Sequence, residues 1–388
     1  MFERTKCKFL HIANNANFIP SAIEQFEKAT PKKSIYLING GETESRKFLK
    51  YNNENIIVSP YESTQYRNYI NNIGDNVIVI FHNLSTKHKE ILPLLAKRHT
   101  IVWVAWGTDL YQSKKLKHLI CLSKTRRLKN KLTIWNRGCF IGIIKFIRNY
   151  LRKDNGIDRY LKYVDYIAPV IKEDYDLLTE NNKKVNLKYI PFNYSASINN
   201  KENAEFFYGE NILIGNSANL PNNHIETFEL LEKLNITNRK IIVPLNYGGF
   251  CKYKEHILKL GENLFKNLFY PLENFIPLQE YNNLLKSVGY AFMNSTRQHA
   301  MGSTIYLLYN GVKVYMNEKS TAFKHLIDIG VGVYSIDSIL SNQLDVFEPL
   351  PIDIKRRNRE VINYHYNDKV LLEQTKHFVE YFELNYFN

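Results

Sequence analysis

Short β-branched and aromatic runs recur along this 388-residue chain, most of them followed by a stretch with apolar positions at helical spacing. In the first half, KFLHI at Lys8–Ile12, SIYLI at Ser34–Ile38, NVIVIF at Asn76–Phe81 and TIVWVAW at Thr100–Trp106 predict buried parallel strands. Continuous apolar runs of this length suit a sheet covered on both faces. Helical patterns near Ser21–Lys28, Thr64–Asn72 and Lys87–Arg98 separate them, and VDYIAPV at Val164–Val170 and LKYIPF at Leu187–Phe192 extend the series. Such alternation predicts an α/β layer architecture.

Tyr194–Glu205 is polar and has no sustained apolar period, whereas NILIG at Asn211–Gly215 restarts the strand pattern. KIIVPL at Lys240–Leu245, VGYAFMN at Val288–Asn294, GVKVYMN at Gly311–Asn317 and GVGVYSI at Gly330–Ile336 continue it. Helices are expected at His224–Leu234, Tyr253–Phe265, Thr304–Tyr309 and Val370–Leu384. The reading is two α/β domains facing one cleft. Residues 1–205 form the first domain, and residues 206–388, with the terminal helix, form the second.

Composition sharpens this picture in two places. Hydrophobic residues at 44% supply two cores without disulfides, and Cys7, Cys121, Cys139 and Cys251 lie too far apart for a zinc knuckle or redox pair. The net charge of +14 is concentrated: Ser113–Lys153 holds thirteen Lys/Arg and no Asp or Glu. Within it, CFIGIIKFIRNYLRK at Cys139–Lys153 sets apolar residues among Lys145, Arg148, Arg152 and Lys153, which suits an anionic membrane surface. A basic helix packed on its own domain, or a nucleic-acid contact, would explain the same run. The first residues carry no long apolar signal and no span of about 20 apolar residues, so membrane association is expected to be peripheral.

Chemistry is expected at strand ends. Gly215, Asn216 and Ser217 follow the first strand of the second series and precede a helix, where backbone amides and a helix N-terminus favour a diphosphate. An ordinary strand-to-helix turn would look the same. Asn222 and Asn223 fit caps of that helix, and His224 fits either a donor contact or a structural neighbour. In NSTRQHAMGST, Arg297 suits phosphate, Gln298 a sugar or phosphate oxygen, and Gly302, Ser303 and Thr304 a close approach at a helix start. In WVAWGTDLY, Asp109 follows a strand end and is a candidate base for an attacking hydroxyl; a loop-fixing carboxylate is the alternative. His11, Asn14 and Asn15, at another strand end, could orient an acceptor, with His11 as the alternative base; a hydrogen-bonded histidine and two turn-forming asparagines would look the same, and Trp103 and Trp106 are expected as core anchors.

At WGTDLY (Trp106–Tyr111), ILIGNSANLPNNHIE (Ile212–Glu226), IIVPLNYG (Ile241–Gly248) and RQHAMGS (Arg297–Ser303) followed by GVKVYMN, the chain resembles glycosyltransferase family 56. These are the bacterial 4-acetamido-4,6-dideoxy-D-galactose transferases, or TDP-N-acetylfucosamine:lipid II N-acetylfucosaminyltransferases. The resemblance implies a GT-B architecture of two Rossmann-like domains with an interdomain cleft, acceptor contacts in the N-terminal half and sugar-nucleotide contacts in the C-terminal half. It carries the family's strand-end turn onto Gly215, Asn216 and Ser217, its Asn-Asn-His turn onto Asn222, Asn223 and His224, and its phosphate loop onto Arg297 and Gln298. Trp106, Gly107, Asp109, Leu110 and Tyr111 match its Trp-Gly-x-Asp-Leu-Tyr segment. Departures are RQHAMGS, where relatives carry an RQQGIG-like segment, and an altered loop after His11.

The activity so implied is transfer of a fucose-like amino-deoxy sugar from a dTDP-linked donor to a polyprenyl-diphosphate-linked saccharide, at the cytoplasmic face of the bacterial inner membrane. The expected chemistry is a single inverting displacement. Asp109, or His11, takes the hydroxyl proton, while Arg297 and the amides around Gly215 and Ser303 stabilise the leaving diphosphate. No cofactor or metal is expected, since no paired-Asp motif stands out and Arg297 can neutralise the leaving group. A nucleotide-sugar epimerase or dehydrogenase is the competing class, but HIANNAN lacks the Gly-x-Gly-x-x-Gly turn. A basic nucleic-acid-binding protein is the other, but the charge is confined and no reader motif appears.

Overall fold

The computed structural model describes residues 7–16, 18–41, 54–135, 156–194, 198, 205–340 and 346–387. The described chain divides into two compact units, one holding residues 7–115, 156–198 and 366–387, the other 116–135 and 205–365. Both differ from the linear boundary expected at residue 205. From Leu116 on, the described part of the basic run joins the second unit, and the terminal helix joins the first.

In the first unit, β1 (Phe9–Asn14), β2 (Ser34–Asn39), β3 (Ile56–Val58), β4 (Ile78–His82), β5 (Thr100–Ala105), β6 (Tyr166–Pro169) and β7 (Lys188–Tyr189) form a parallel sheet in the order β3-β2-β1-β4-β5-β6-β7. β4 is buried at all five positions, as a central strand covered on both faces must be. Helix Ile19–Ala29 presents Ile19, Ala22, Ile23 and Phe26 to the core on a 3.6-residue period. The terminal helix Asp368–Tyr386 buries Leu371, Thr375, Phe378, Val379 and Phe382 on one stripe. Phe378 meets Phe26 at 5.7 Å and Phe192 at 5.1 Å, and Glu383 pairs with Lys8 and Lys33 at 2.9 and 2.8 Å. Those rings contribute most of the attachment, since burying a large apolar side chain stabilises by about 1.5–3 kcal/mol whereas half-exposed ion pairs add little.

In the second unit, β8 (Asn211–Ile214), β9 (Ile241–Pro244), β10 (Phe269–Leu272), β11 (Val288–Met293), β12 (Lys313–Met316) and β13 (Tyr334–Ser335) form a parallel sheet in the order β10-β9-β8-β11-β12-β13. One face packs on Phe228 and Leu231 of helix His224–Glu232 and on Tyr253, Ile257 and Phe265 of helix Cys251–Phe265. Leu128 and Leu132 of helix Ser123–Trp135 pack against the same core. That basic helix is fixed at its start by a carboxylate from the second unit. Glu226 accepts from the Lys124 and Thr125 amides at 2.8 and 2.9 Å and from the Thr125 hydroxyl at 2.6 Å, satisfying amides that a helix start leaves open. The apolar and basic run Cys139–Lys153 lies outside the described residues.

Candidate active site

Chain order reverses between β1 and β4 in the first sheet and between β8 and β11 in the second. Ligands of open α/β sheets bind beyond the carboxyl ends of strands at such switch points. What a strand-end residue can do there depends on the hydrogen-bonding capacity its atoms have left.

In the first unit, Asp109 sits in the short helix Gly107–Leu110 directly after β5 and is 3% exposed. Its Oδ1 accepts from the amides of Trp106 (2.8 Å) and Leu110 (3.0 Å). Its Oδ2 accepts from the Leu84 amide (2.7 Å) and Trp103 Nε1 (2.7 Å). Four donors occupy the carboxylate and tie the end of β4 to β5, the loop-fixing arrangement named above as the alternative. Burial raises its pKa to about 6 against the lowering pull of those hydrogen bonds.

His11 is not at a strand end. β1 runs on to Asn14, and His11 lies mid-strand, 1% exposed, stacked on Tyr36 and edge-on to Phe26. Its Nδ1 meets His82 Nε2 at 2.9 Å, and His82 Nδ1 meets the Tyr194 hydroxyl at 2.6 Å, a buried chain kept neutral by desolvation. Trp103 is fully buried, as expected of a core anchor, while Trp106 is partly buried and stacks on Phe18 at 4.0 Å. The strand ends themselves carry amides. Asn14 Oδ1 accepts from Tyr61 (2.9 Å) and Asn39 (3.3 Å), and Asn14 Nδ2 donates to Asn83 (3.4 Å).

In the second unit the two predicted segments come together at the switch point. Gly215 has φ +62°, and a Cβ there would lie 2.7 Å from Asn222 Cγ, so glycine is required for this turn to close on Asn222. Asn222 Nδ2 donates to the Ser217 carbonyl (2.6 Å) and hydroxyl (3.2 Å), while its Oδ1 accepts from the Asn216 amide (3.3 Å). The Gly215 amide donates to Phe292 and the Ala218 amide to Tyr247. The expected row of open amides around Gly215 is therefore corrected. Three of them are used within the protein, and Asn222 is the scaffold of the turn.

Asn223, left-handed at φ +49°, makes no side-chain cap; it donates to the Asn294 carbonyl at 2.6 Å and accepts from the Leu122 amide at 2.8 Å. Asn294 in turn donates to Thr227 (3.1 Å) and accepts from Asn317 (3.0 Å), so amides lock the ends of β11 and β12 to helix His224–Glu232. His224 is buried, with Nδ1 3.1 Å from the Tyr253 hydroxyl and Nε2 without a partner.

The segment Asn294–Gln298 is buried throughout. Arg297 is 5% exposed; its Nη1 donates to the Gln298 carbonyl at 2.7 Å, and its own carbonyl accepts from Ser320 at 3.0 Å. Ala300, at φ +55°, turns the chain into helix Met301–Tyr309, where Gly302 is exposed, Ser303 half-buried and Thr304 buried with its hydroxyl unpartnered. Beside Arg297, His299 has a buried Nε2 without a partner. Its pKa is lowered to about 3, first by burial and then by Arg297 and His224. A guanidinium, two neutral imidazoles and a helix start thus share one neighbourhood, a set suited to holding an anion. His299 stood inside the quoted motif, but only the fold shows that it lies near His224. Among the described residues no group of three His, Cys, Asp or Glu is placed to hold a metal ion. No described helix is long and apolar enough to cross a membrane.

Residues 171–348 match the family described as "4-alpha-L-fucosyltransferase glycosyl transferase group 56", a stretch that includes both the Gly215 turn and the Arg297 loop. A glycosyltransferase from Rickettsia africae is similar in structure over 98% of this chain and 98% of its own, at a TM-score of 0.60 and 12% identity. Anabaena HepE in complex with UDP and glucose matches over 96% and 100%, at 0.59 and 10%. The Candida albicans trehalose-6-phosphate phosphatase N-terminal domain matches over 97% and 96%, at 0.61 and 10%. The chain is a GT-B-fold glycosyltransferase. Within this transferase, the family match covers the second sheet's switch point, and the candidate donor residues lie on both sides of that point.

Proposed function

We propose that this transferase moves a fucose-like amino-deoxy sugar from a nucleoside-diphosphate donor, dTDP-linked by the family resemblance, to a polyprenyl-diphosphate-linked saccharide. The observation that carries the donor half is the placement of buried Arg297 at the entry to helix Met301–Tyr309, across the β8/β11 switch point from the Gly215 turn. Arg297 and the amides of the first helical turn, at Gly302 and Ser303, take the negative charge that develops on the leaving diphosphate. Gln298 and the neutral imidazole of His299 supply polar contacts around it. With Arg297 in this role no metal is needed, and full activity after complete chelation is the expected result. Activity that only a divalent cation restores would contradict that part.

On the acceptor side, the strand-end amides Asn14, Asn39 and Asn83 orient the saccharide. Its hydroxyl oxygen attacks the anomeric carbon, the carbon–phosphate-oxygen bond breaks, and the configuration inverts. For Asp109 to take the proton, the hydroxyl must replace one of its four present donors. A pKa of about 6 leaves the carboxylate ionised at pH 7 and within range of a general base. His11, set in the core, comes second. In this reading the transferase works peripherally on the cytoplasmic face of the inner membrane, drawn there by its lipid acceptor and its basic run, without a nucleic-acid partner.

The test is protein-dependent release of nucleotide from a panel of nucleotide sugars with polyprenyl-linked acceptors. Release only with an amino-deoxy-sugar donor and a lipid-linked acceptor supports the proposal. Release with neutral hexose donors alone would replace the sugar assignment. Equal binding to neutral and anionic vesicles would remove the electrostatic membrane contact.

A further inference from the structure

The end of the motif IIVPLNYG, which already accepts the Ala218 amide through Tyr247, is built further into the site described above. β9 closes at Pro244, and the loop Leu245–Gly249 runs along the Gly215 turn. Three hydrogen bonds join them. The Ala218 amide donates to the Tyr247 carbonyl (2.9 Å), Asn216 Nδ2 donates to the Tyr247 hydroxyl (3.0 Å), and the Gly249 amide donates to Asn219 Oδ1 (2.9 Å). Gly248 and Gly249, at φ +72° and +67°, permit this approach: a Cβ on Gly248 would stand 2.5 Å from Asn219 Nδ2, and one on Gly249 would meet the Ala218 carbonyl.

What the joined loops present is one aromatic ring. Tyr247 is 53% exposed although its hydroxyl is tied inward to Asn216. A phenol pinned at its polar end, with its ring left to solvent, is oriented before any ligand arrives, which lowers the entropic cost of a contact. Phe275, 85% exposed, stands in the loop after the adjacent strand β10, on the same edge of the sheet. In a mononucleotide-binding half the nucleoside lies toward the second strand's end. Here β8 is the first strand and β9 the second.

We propose that Tyr247 is the stacking platform for the planar base of the donor nucleotide, held in place by the Asn216 side chain. This rests on the donor-site reading above and adds a nucleoside-binding residue to it. Aromatic stacking tolerates different bases, so Tyr247 contributes affinity for the nucleoside rather than a choice among pyrimidines.

The test is calorimetric titration of the full chain and its Tyr247→Ala and Tyr247→Phe variants with dTDP, UDP and inorganic pyrophosphate. Tyr247→Ala should weaken dTDP and UDP by roughly 5- to 150-fold, the equivalent of about 1–3 kcal/mol, and leave pyrophosphate unchanged. Tyr247→Phe, which keeps the ring and loses only the hydroxyl pin, should stay within a few-fold of the wild type. Unchanged nucleotide binding in Tyr247→Ala would overturn the stacking role alone. An equal loss for pyrophosphate and nucleotide would also overturn it, since Tyr247 would then act only by holding the Asn216 turn. If the unaltered chain binds none of the three ligands, the donor-site reading falls, and this inference with it.

Discussion

The two units share a sheet order from the third strand through the first to the sixth, and both have candidate residues at strand ends beside the switch point, yet the chemistry left over there differs. In the first unit, the carboxylate of Asp109 accepts from four donors and the imidazoles of His11 and His82 are joined in the interior. In the second, Arg297 and His299 gather at a helix start, with an imidazole nitrogen unpartnered and an aromatic ring half exposed beside the turn. Equal topology thus positions residues without deciding their use. The difference lies in single groups: the Asp109 carboxylate is fully engaged while His299 Nε2 is open, although buried nitrogens of His11 and Trp106 in the first unit also lack a partner.

The largest expected effect is on the second unit. Arg297→Ala should lower kcat/KM by about 10²–10³-fold, in the range seen when one donor to a developing oxyanion is removed, with the thermal transition retained. Steady-state nucleotide release checks this, and a loss below threefold or so would break the contrast between the edges. In the first unit, Phe378→Ala should cost about 3–5 kcal/mol by leaving a cavity between the terminal helix and helix Ile19–Ala29, read from denaturant midpoints. Unfolding of the first unit unchanged by this substitution would contradict the helix's assignment to that core.

Asp109 gives a smaller effect with a defined sign. Its folded pKa of about 6 exceeds the unfolded value of about 3.9, so the folded state binds more protons between them. The wild type should therefore lose stability relative to Asp109→Asn as pH rises from about 4 to about 6, measured as a difference in Tm at each pH. If Asp109 is also the base, kcat/KM should rise through the same upper value. A pH-independent rate there, together with the stability trend, would leave it a bracing residue only. Smallest, Glu226→Ala should cost about 0.5–2 kcal/mol by uncovering the first amides of helix Ser123–Trp135, seen as faster hydrogen exchange in that helix alone.

Much of the fold was legible because its strands are continuous apolar runs. Phe9–Asn14, Thr100–Ala105 and Val288–Met293 fall within a residue or two of the expected spans. β3, three residues at a sheet edge, and β10, interrupted by Pro271, carry no comparable signal. Helix Ser123–Trp135 was masked by its charge, since five of its thirteen residues are Lys or Arg and, among its described side chains, Leu128 and Leu132 are the apolar ones packed on the core. Which unit the terminal helix joins depends on Phe26 and Phe192, more than 180 residues away, and no local pattern encodes that. At the site, Asp109, Gly215 and Arg297 follow strand ends as expected, whereas His11 lies mid-strand. Asp109 and Asn222 differ from free ligand contacts only in how many partners they already hold, a property of the folded chain.

The most direct test of the contrast is hydrogen exchange on the full chain with and without dTDP or UDP. Added nucleotide should protect amides in 215–219, 245–249 and 295–304 and leave 82–85 and 106–111 unchanged. Protection confined to the first unit's strand ends, or none at a nucleotide concentration where calorimetry shows binding, would contradict the account.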